Sequence, residues 1–141
     1  MVDDKETGTI KGSVSFLEKL IFIKTKYMSL LSTLFGNKKE TSDKIIILDK
    51  NTYADAILGK TVQLVDVRTA NEYANGHIKN AQNIDFFSAT NFKVAFEKMN
   101  KEQPVYLYCR SGARSQKAAR KLVDMGFSKI YDLKGGYAQW N

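Results

Sequence analysis

The sequence predicts an α/β protein with an open, mainly parallel five-stranded sheet and helices on both faces. Strand-like apolar runs alternate with segments of helical periodicity from Ile45 onward, an alternation typical of parallel sheets. The run Val62 to Val67 is apolar enough for a strand that is buried on both faces. The stretch Pro104 to Arg120 passes from a strand-like run through a tight loop into a helix. A length of 141 residues allows one domain with a core and is too short for two.

The N-terminal residues 1–44 are predicted to form an extension to a domain at 45–141. The extension begins with a polar stretch that is typical of disorder, and it ends in a polar linker at 36–44. Residues 16–35 are more apolar, and membrane or partner contact through an amphipathic helix is one interpretation. We favour a helix packed on the domain or a loose tail, and translation from Met28 is a further interpretation that the sequence leaves open. The apolar stripe consists of Leu17, Leu20, Ile21, Met28, Leu31 and Phe35.

The first half of the domain is predicted to contain three strands and two short helices. Asn51 or Thr52 is expected to cap the first helix, which Gly59 closes. Asp66 and Arg68 follow the central strand at its carboxyl end, where open α/β sheets place their sites. In chain order we expect strands at 45–48, 62–67 and 81–84, with helices up to Leu58 and at 69–74.

The second half is predicted to contain two helices, two strands and a final helical turn. Apolar residues at i, i+3, i+4 and i+7 predict a helix over 90–99. A strand at 105–108 is followed by a helix from Ser115, which Gly126 ends. We expect the last strand at 129–133 and the final turn at 136–140.

The loop from Cys109 to Arg114 is the candidate site. A cysteine at a strand end facing a helix start lies where amide groups and the helix dipole favour negative charge. This field lowers a thiol pKa, and Arg110 and Arg114 act in the same direction. A lone cysteine is more commonly a small buried apolar residue, but this context favours a nucleophile above a nest of N–H groups. The interpretation depends on Cys109 being ionised and reachable by solvent.

Three motifs resemble those of the rhodanese-like sulfurtransferases, in order and spacing from about Ile45 to Trp140. The stretch Tyr108 to Ser115, YCRSGARS, resembles the active-site loop of that family. LVDVR from Leu64, with the EY and GHI that follow it, resembles the motif near the start of the domain. GGYAQW from Gly135 resembles the motif that closes it. The resemblance implies the rhodanese-like version of the predicted fold.

The resemblance also implies a two-step transfer of sulfur. Cys109 attacks the outer sulfur of a small anionic donor, thiosulfate or a persulfide, and becomes a persulfide. Cyanide or a thiol, on a small molecule or a protein, then removes that sulfur. Cys109 is thus the expected catalytic residue, and Asp66 and Arg68 are supporting residues whose structural pairing we favour over a direct role. The active-site loop that binds substrate is expected to consist of Arg110, Ser111, Gly112, Ala113, Arg114 and Ser115.

Two neighbouring side chains receive structural interpretations. Arg68 and Glu72 are spaced as an i,i+4 ion pair. His77, the single histidine, is expected to form a structural hydrogen bond, because an ionised thiol needs no general base.

Composition and charge limit the partners. The formal charge is +7, and from Cys109 to Lys134 seven basic residues against two acidic ones leave a local +5, which suits an anionic substrate. No nucleic-acid-binding motif accompanies this charge. One cysteine excludes an internal disulfide, and with one histidine we expect no metal and no other cofactor. No apolar run approaches the roughly 20 residues of a membrane span, so we expect a cytoplasmic protein.

Two other functions stay open. A cysteine phosphatase or arsenate reductase has a related loop, but phosphatase loops read C-x5-R, whereas Arg114 closes this loop one residue earlier. The smaller ring of amides suits a single sulfur atom. A non-catalytic binding or regulatory module on the same fold is the third possibility, and the intact cysteine with arginines at both ends of the loop argues against it.

Overall fold

The computed structural model describes residues 18–21, 23, 24, 41 and 43–141. The chain divides into two compact units, 1–40 and 41–141. In the first unit the described residues are helical, and Leu20 and Ile21 are exposed. The rest of the predicted apolar stripe, and most of the predicted extension and linker, lie outside the described residues. Within the described part of the chain, no helix has the length and apolar character needed to cross a membrane.

The second unit contains the predicted five-stranded sheet. The strands are β1 (Ile45–Leu48), β2 (Gln63–Asp66), β3 (Gln82–Asn83), β4 (Val105–Tyr108) and β5 (Ile130–Leu133). Their order across the sheet is β1-β5-β4-β2-β3, and each neighbouring pair is parallel. Asp66 and Tyr108 are register partners at the carboxyl ends of β2 and β4. The loops that follow these two strands are therefore neighbours at one edge of the sheet.

Within residues 45–141, four α-helices and a short 3₁₀ helix accompany the sheet. They are α1 (Lys50–Ile57), α2 (Ala70–Ala74), α3 (Ala89–Glu97), α4 (Ala113–Asp124) and the 3₁₀ turn Tyr137–Gln139, called here the C-terminal turn. The predicted cap of α1 is wrong: the Asp49 carboxylate accepts from the Thr52 amide at 2.9 Å, so Asp49 is the cap. A capping side chain accepts the amide three residues later, which makes Thr52 the donor and not the cap.

Two core clusters cover the two faces of the sheet, as predicted for helices on both sides. The first core cluster unites Leu107 of β4 and Cys109, the residue after that strand, with the buried stripe Ala118, Ala119 and Leu122 of α4. The second core cluster contains Tyr108 of β4. Since successive strand side chains point to opposite faces, the alternation along β4 turns the Cys109 side chain toward α4.

Candidate active site

The loop between β4 and α4 is only four residues long, from Cys109 to Gly112. Helix α4 begins at Ala113, two residues earlier than predicted, so that Arg114 and Ser115 belong to its first turn. Gly112 has φ +104°, a conformation that L side chains rarely adopt. This backbone turn directs the Gly112 amide to the thiol, and its N–H donates to Cys109 Sγ at 3.0 Å. The structure thus builds an N–H donor against the sulfur.

Further amides surround the same loop. The N–H groups of Arg110 and Ser111, and those of the first three α4 residues, donate to no acceptor in the described part of the chain. The first amides of a helix have no partner within the helix. A run of such amides forms a concavity that attracts anions. The arrangement can hold negative charge on or next to the sulfur.

Only 1% of the Cys109 surface is exposed. The C-terminal turn closes over the loop, because the amide of Tyr137 donates to the Cys109 carbonyl at 2.8 Å and that of Ala138 donates to the Arg110 carbonyl at 3.0 Å. A Cβ at Gly136 would lie 2.5 Å from the carbonyl oxygens of Cys109 and Arg110, so a glycine is required for this approach. The thiol is therefore almost closed off from solvent in this structure, contrary to the expectation that solvent reaches it.

Arg114 is held by α2 rather than pointing freely at the loop. Its guanidinium forms two hydrogen bonds with the Glu72 carboxylate, at 2.7 and 2.8 Å. These bonds lower the pKa of Glu72 to about 2, with further help from Thr69, which Glu72 caps reciprocally at the start of α2. The predicted Arg68–Glu72 pair is wrong, because Glu72 turns toward the helix that follows β4. Arg114 therefore braces the loop.

Asp66 and Arg68 form a buried pair with each other. Arg68 Nε lies 3.0 Å from both Asp66 oxygens and Nη2 lies 2.7 Å from Oδ2, and the Arg68 amide also donates to the carboxylate. Burial works against the charge of Arg68, but the bonds and charge of Asp66 raise its pKa. The guanidinium also donates to the Gly76 carbonyl at 2.7 Å and lies 4.3 Å from the Tyr137 ring centre. The contacts of the Asp66–Arg68 pair are therefore structural.

Arg110 is exposed and lines a pocket of about 390 Å³. Arg68, Glu72 and Tyr137 also line this pocket, whereas Cys109 does not. Of the two loop arginines, Arg110 is thus the one whose exposed side chain can meet a dissolved anion.

His77 and Trp140 make structural contacts. His77 Nδ1 lies 2.9 Å from the Tyr73 carbonyl, and the two rings stack. Trp140 packs edge-on against Tyr53. It also lines a pocket of about 590 Å³ beside the end of α1, to which no residue of the 109–112 loop contributes. Among the described residues, no group of three His, Cys, Asp or Glu side chains could hold a metal ion.

Sequence reasoning missed two residues that shape the site and one buried carboxylate on a neighbouring strand. Glu72 was assigned to the wrong arginine, although its position three residues after Thr69 marks a capping box. Gly136 is the point of closest approach to the loop, and only the Gly-Gly pair in the sequence hints at it. Asp132 is buried beneath α4 on β5, and its signal is a carboxylate inside an apolar strand.

The parallel sheet and the cysteine loop between strand and helix define a rhodanese-type α/β domain. The chain belongs to the rhodanese-like domain family, which matches residues 49–141. It is 33% identical to the thiosulfate sulfurtransferase GlpE of Shewanella oneidensis over 67% of this chain and 90% of that protein. It is 41% identical to the uncharacterized protein YqhL of Bacillus subtilis over 57% of this chain, and the match spans 62% of the YqhL length. A crystal structure of a rhodanese-like domain protein from Staphylococcus aureus is 29% identical, with a TM-score of 0.59 over 68% of this chain and 91% of that one.

Proposed function

We propose that this chain is a rhodanese-type sulfurtransferase that carries a sulfane sulfur as a persulfide on Cys109. The observation that carries the proposal is the Gly112 N–H donating to Cys109 Sγ within a loop whose other amides meet no acceptor among the described residues. Such donors stabilise negative charge that develops at one atom. The similarity to GlpE, a thiosulfate sulfurtransferase, supports the same reaction class.

In the first step the Cys109 thiolate attacks the outer sulfur of thiosulfate. A bond forms between the two sulfur atoms, the sulfur–sulfur bond of thiosulfate breaks, and its electron pair leaves with sulfite. The product is a Cys109 persulfide whose terminal sulfur carries the negative charge. The loop amides can donate to that charge, and no metal or cofactor takes part.

In the second step an acceptor from outside the chain attacks the terminal sulfur. Cyanide takes the sulfur as thiocyanate and returns the Cys109 thiolate. A cellular thiolate, on a small molecule or a protein, takes it as a new persulfide. Because Cys109 is the single cysteine, no second thiol of this chain can discharge it. A site that needs a free thiol suits the reducing cytoplasm.

The residues of the site then have distinct roles. Cys109 is the nucleophile, and Gly112 with Ser111, Ala113 and Ser115 contributes backbone amides. Arg110 attracts the anionic donor at the rim, while Arg114 acts through its bonds to Glu72. The Asp66–Arg68 pair has a structural role, because the Arg68 guanidinium is bound to Asp66 and to the Gly76 carbonyl.

A phosphatase or arsenate reductase is less consistent with this geometry. An arginine that closes such a loop must bind the oxyanion, whereas both terminal nitrogens of Arg114 are bound to Glu72. The 1% exposure of Cys109 favours a small donor over an aryl phosphate. A binding module would have no use for the N–H donor on the sulfur.

The full chain should be incubated with thiosulfate, analysed by intact mass spectrometry and then mixed with cyanide. We expect one added sulfur on Cys109 and then one equivalent of thiocyanate. Cys109→Ser should show neither, while Ser111→Ala, which keeps the backbone amide, should show both. Hydrolysis of an aryl phosphate without sulfur uptake would favour the phosphatase, and neither activity would leave the binding module.

A further inference from the structure

Asp132 is a buried carboxylate that the proposed reaction does not use. It lies on β5 as the register partner of Leu107 on β4, and it is 1% exposed. Ile130, two residues earlier, belongs to the first core cluster, so Asp132 faces the same side of the sheet, under α4. Cys109 follows Leu107 by two residues on that same face. The carboxyl group is therefore placed behind the loop that carries the nucleophile.

Neither oxygen of Asp132 has a hydrogen-bond partner within the described residues. Burial raises the pKa of this carboxyl to about 6, although the Ser115 hydroxyl and the Leu133 amide pull the pKa the other way. Buried polar groups in native proteins are nearly always satisfied, and an exception needs a physical explanation. A group that is neither paired nor fully ionised near neutral pH can exchange a proton without leaving the core.

The groups around Asp132 are few. On β1 the register partner is Ile47. Burial, and after it the charge of Asp132, raises the pKa of the Tyr53 phenol on α1. On β4 the titratable group of the same face is Cys109. From α4 the polar group is the buried Ser115, since Arg114 is turned to Glu72.

Ser115 is the polar side chain near both Asp132 and the loop: its hydroxyl lowers the pKa of the Asp132 carboxyl, although no hydrogen bond joins the two side chains in the described structure. Its hydroxyl donates to the Gly112 carbonyl at 3.2 Å. The amide of Gly112 donates to Cys109 Sγ at 3.0 Å. One hydroxyl therefore lies between the buried carboxyl and the residue whose backbone turn holds the sulfur.

We propose that Asp132 is a positioning residue for the Cys109 loop, acting through the Ser115 hydroxyl on Gly112; its effect on sulfur transfer rests on the proposed function. Protonated, Asp132 leaves the Ser115 hydroxyl on the Gly112 carbonyl, as in the structure. Ionised, Asp132 accepts the Ser115 hydroxyl, and the Gly112 carbonyl loses that donor. The backbone of Gly112 is then held less firmly, so its amide is less well placed against the sulfur.

The test compares Asp132→Asn with the unchanged full chain. Asparagine has the same shape, does not titrate and is uncharged like the protonated acid. Single-turnover sulfur uptake from thiosulfate is measured for both proteins across the pH range, as the ratio of the Asp132→Asn rate to the parent rate. We expect the ratio of variant to parent rate to be near one at about pH 5 and to rise about threefold to tenfold by about pH 8. That change corresponds to the free energy of one hydrogen bond. Asp124→Asn, an exposed change at the other end of α4, should give a flat ratio.

The same comparison in a second background tests whether the effect of Asp132 passes through Ser115. In a Ser115→Ala background, the pH dependence of the Asp132→Asn ratio should shrink, and a full dependence without Ser115 would overturn the relay. A flat ratio in the presence of Ser115 would overturn the proposal altogether.

An NMR titration keeps this inference separate from the proposed function. The Gly112 amide of the unchanged chain should show a transition near pH 6 that Asp132→Asn removes. If neither protein takes up sulfur at any pH, the proposed function fails and the titration alone decides on the relay. The same Gly112 transition in the unchanged and Asp132→Asn proteins would contradict it.

Discussion

The carboxyl ends of β2 and β4 are neighbours, and their polar groups are arranged in opposite ways. After β2, the Asp66 carboxylate receives four hydrogen bonds from Arg68, whose guanidinium also reaches the Gly76 carbonyl. After β4, the loop amides, apart from the Gly112 N–H on the sulfur, meet no acceptor in the described part of the chain. The polar groups after β2 are satisfied by one another, whereas the amides after β4 are available to an anion. We infer that β2 provides support and β4 provides chemistry.

The largest expected effect comes from removing Arg68, the partner of Asp66 after β2. Arg68→Met removes the partner of Asp66 and leaves a buried carboxylate alone, which costs about 3–5 kcal/mol in comparable pairs. Urea denaturation should show a loss of that size, or no folded protein. Arg110→Met, an exposed arginine of the other loop, should stay within about 0.5 kcal/mol of the parent stability. Similar stabilities for the two variants would contradict the distinction between the two ends.

Asp132 extends the comparison, because it is a buried carboxylate without the bonds that Asp66 has. Its pKa is raised from 3.8 to about 6, so the folded state holds the proton more tightly than the unfolded state. Stability from this group is greatest below the unfolded value and falls as the pH rises through about 6, by about 3 kcal/mol at 1.36 kcal/mol per unit. Asp132→Asn should remove that fall, seen as a smaller loss of unfolding free energy between about pH 4 and about pH 8. Parallel pH profiles for variant and parent would refute it.

Gly112→Ala acts on the open end. Its φ of +104° strains any Cβ, at a cost of about 1–3 kcal/mol, and the displaced amide no longer meets the sulfur. Losing one hydrogen bond to a charged group should lower single-turnover sulfur uptake about tenfold to a hundredfold. Gly59→Ala is the matched control, since its φ is +64° and nothing lies within 4 Å of its added Cβ. The control should lose stability alone, and equal losses of uptake in both would rule out a specific role for the Gly112 amide.

The smallest effect concerns the link between the two ends. Glu72→Gln removes the carboxylate that holds Arg114, and for this partly exposed pair we expect a loss of about 1 kcal/mol at neutral pH. The pKa of Glu72 is lowered from 4.5 to about 2, so its contribution is full above 4.5 and disappears as the pH falls to about 2. The difference between parent and variant should close over that window in acid unfolding. Glu97→Gln, which breaks an exposed pair with Lys101, should change little.

Most of the fold could be predicted because local patterns determine it. The strands at 45–48 and 105–108 were predicted to the residue, since short apolar and β-branched runs stand between clear breaks. The predicted cap of α1 was wrong because three good capping residues, Asp49, Asn51 and Thr52, lie within four positions of one another. Helix α4 begins before Ser115 because a glycine, not a side-chain cap, starts it.

The site could be predicted only in part, because its parts meet through tertiary packing. The cysteine and its loop are contiguous in sequence, so their motif was visible. Glu72 pairs with Arg114 and not with Arg68 because of the way α2 and α4 pack against each other. Residue spacing within one helix carries no information on that packing. The position of Asp132 behind the loop depends on strand order, since β5 pairs with β4 only in the folded sheet.

The central claim is that Cys109, although only 1% exposed, accepts and releases one sulfur atom. The most direct test is the intact mass of the full chain after incubation with thiosulfate, before and after addition of cyanide, beside Cys109→Ser. The account predicts a gain of one sulfur atom that cyanide removes, and no gain in the variant. An unchanged mass for the parent chain, or an equal gain in Cys109→Ser, would contradict it.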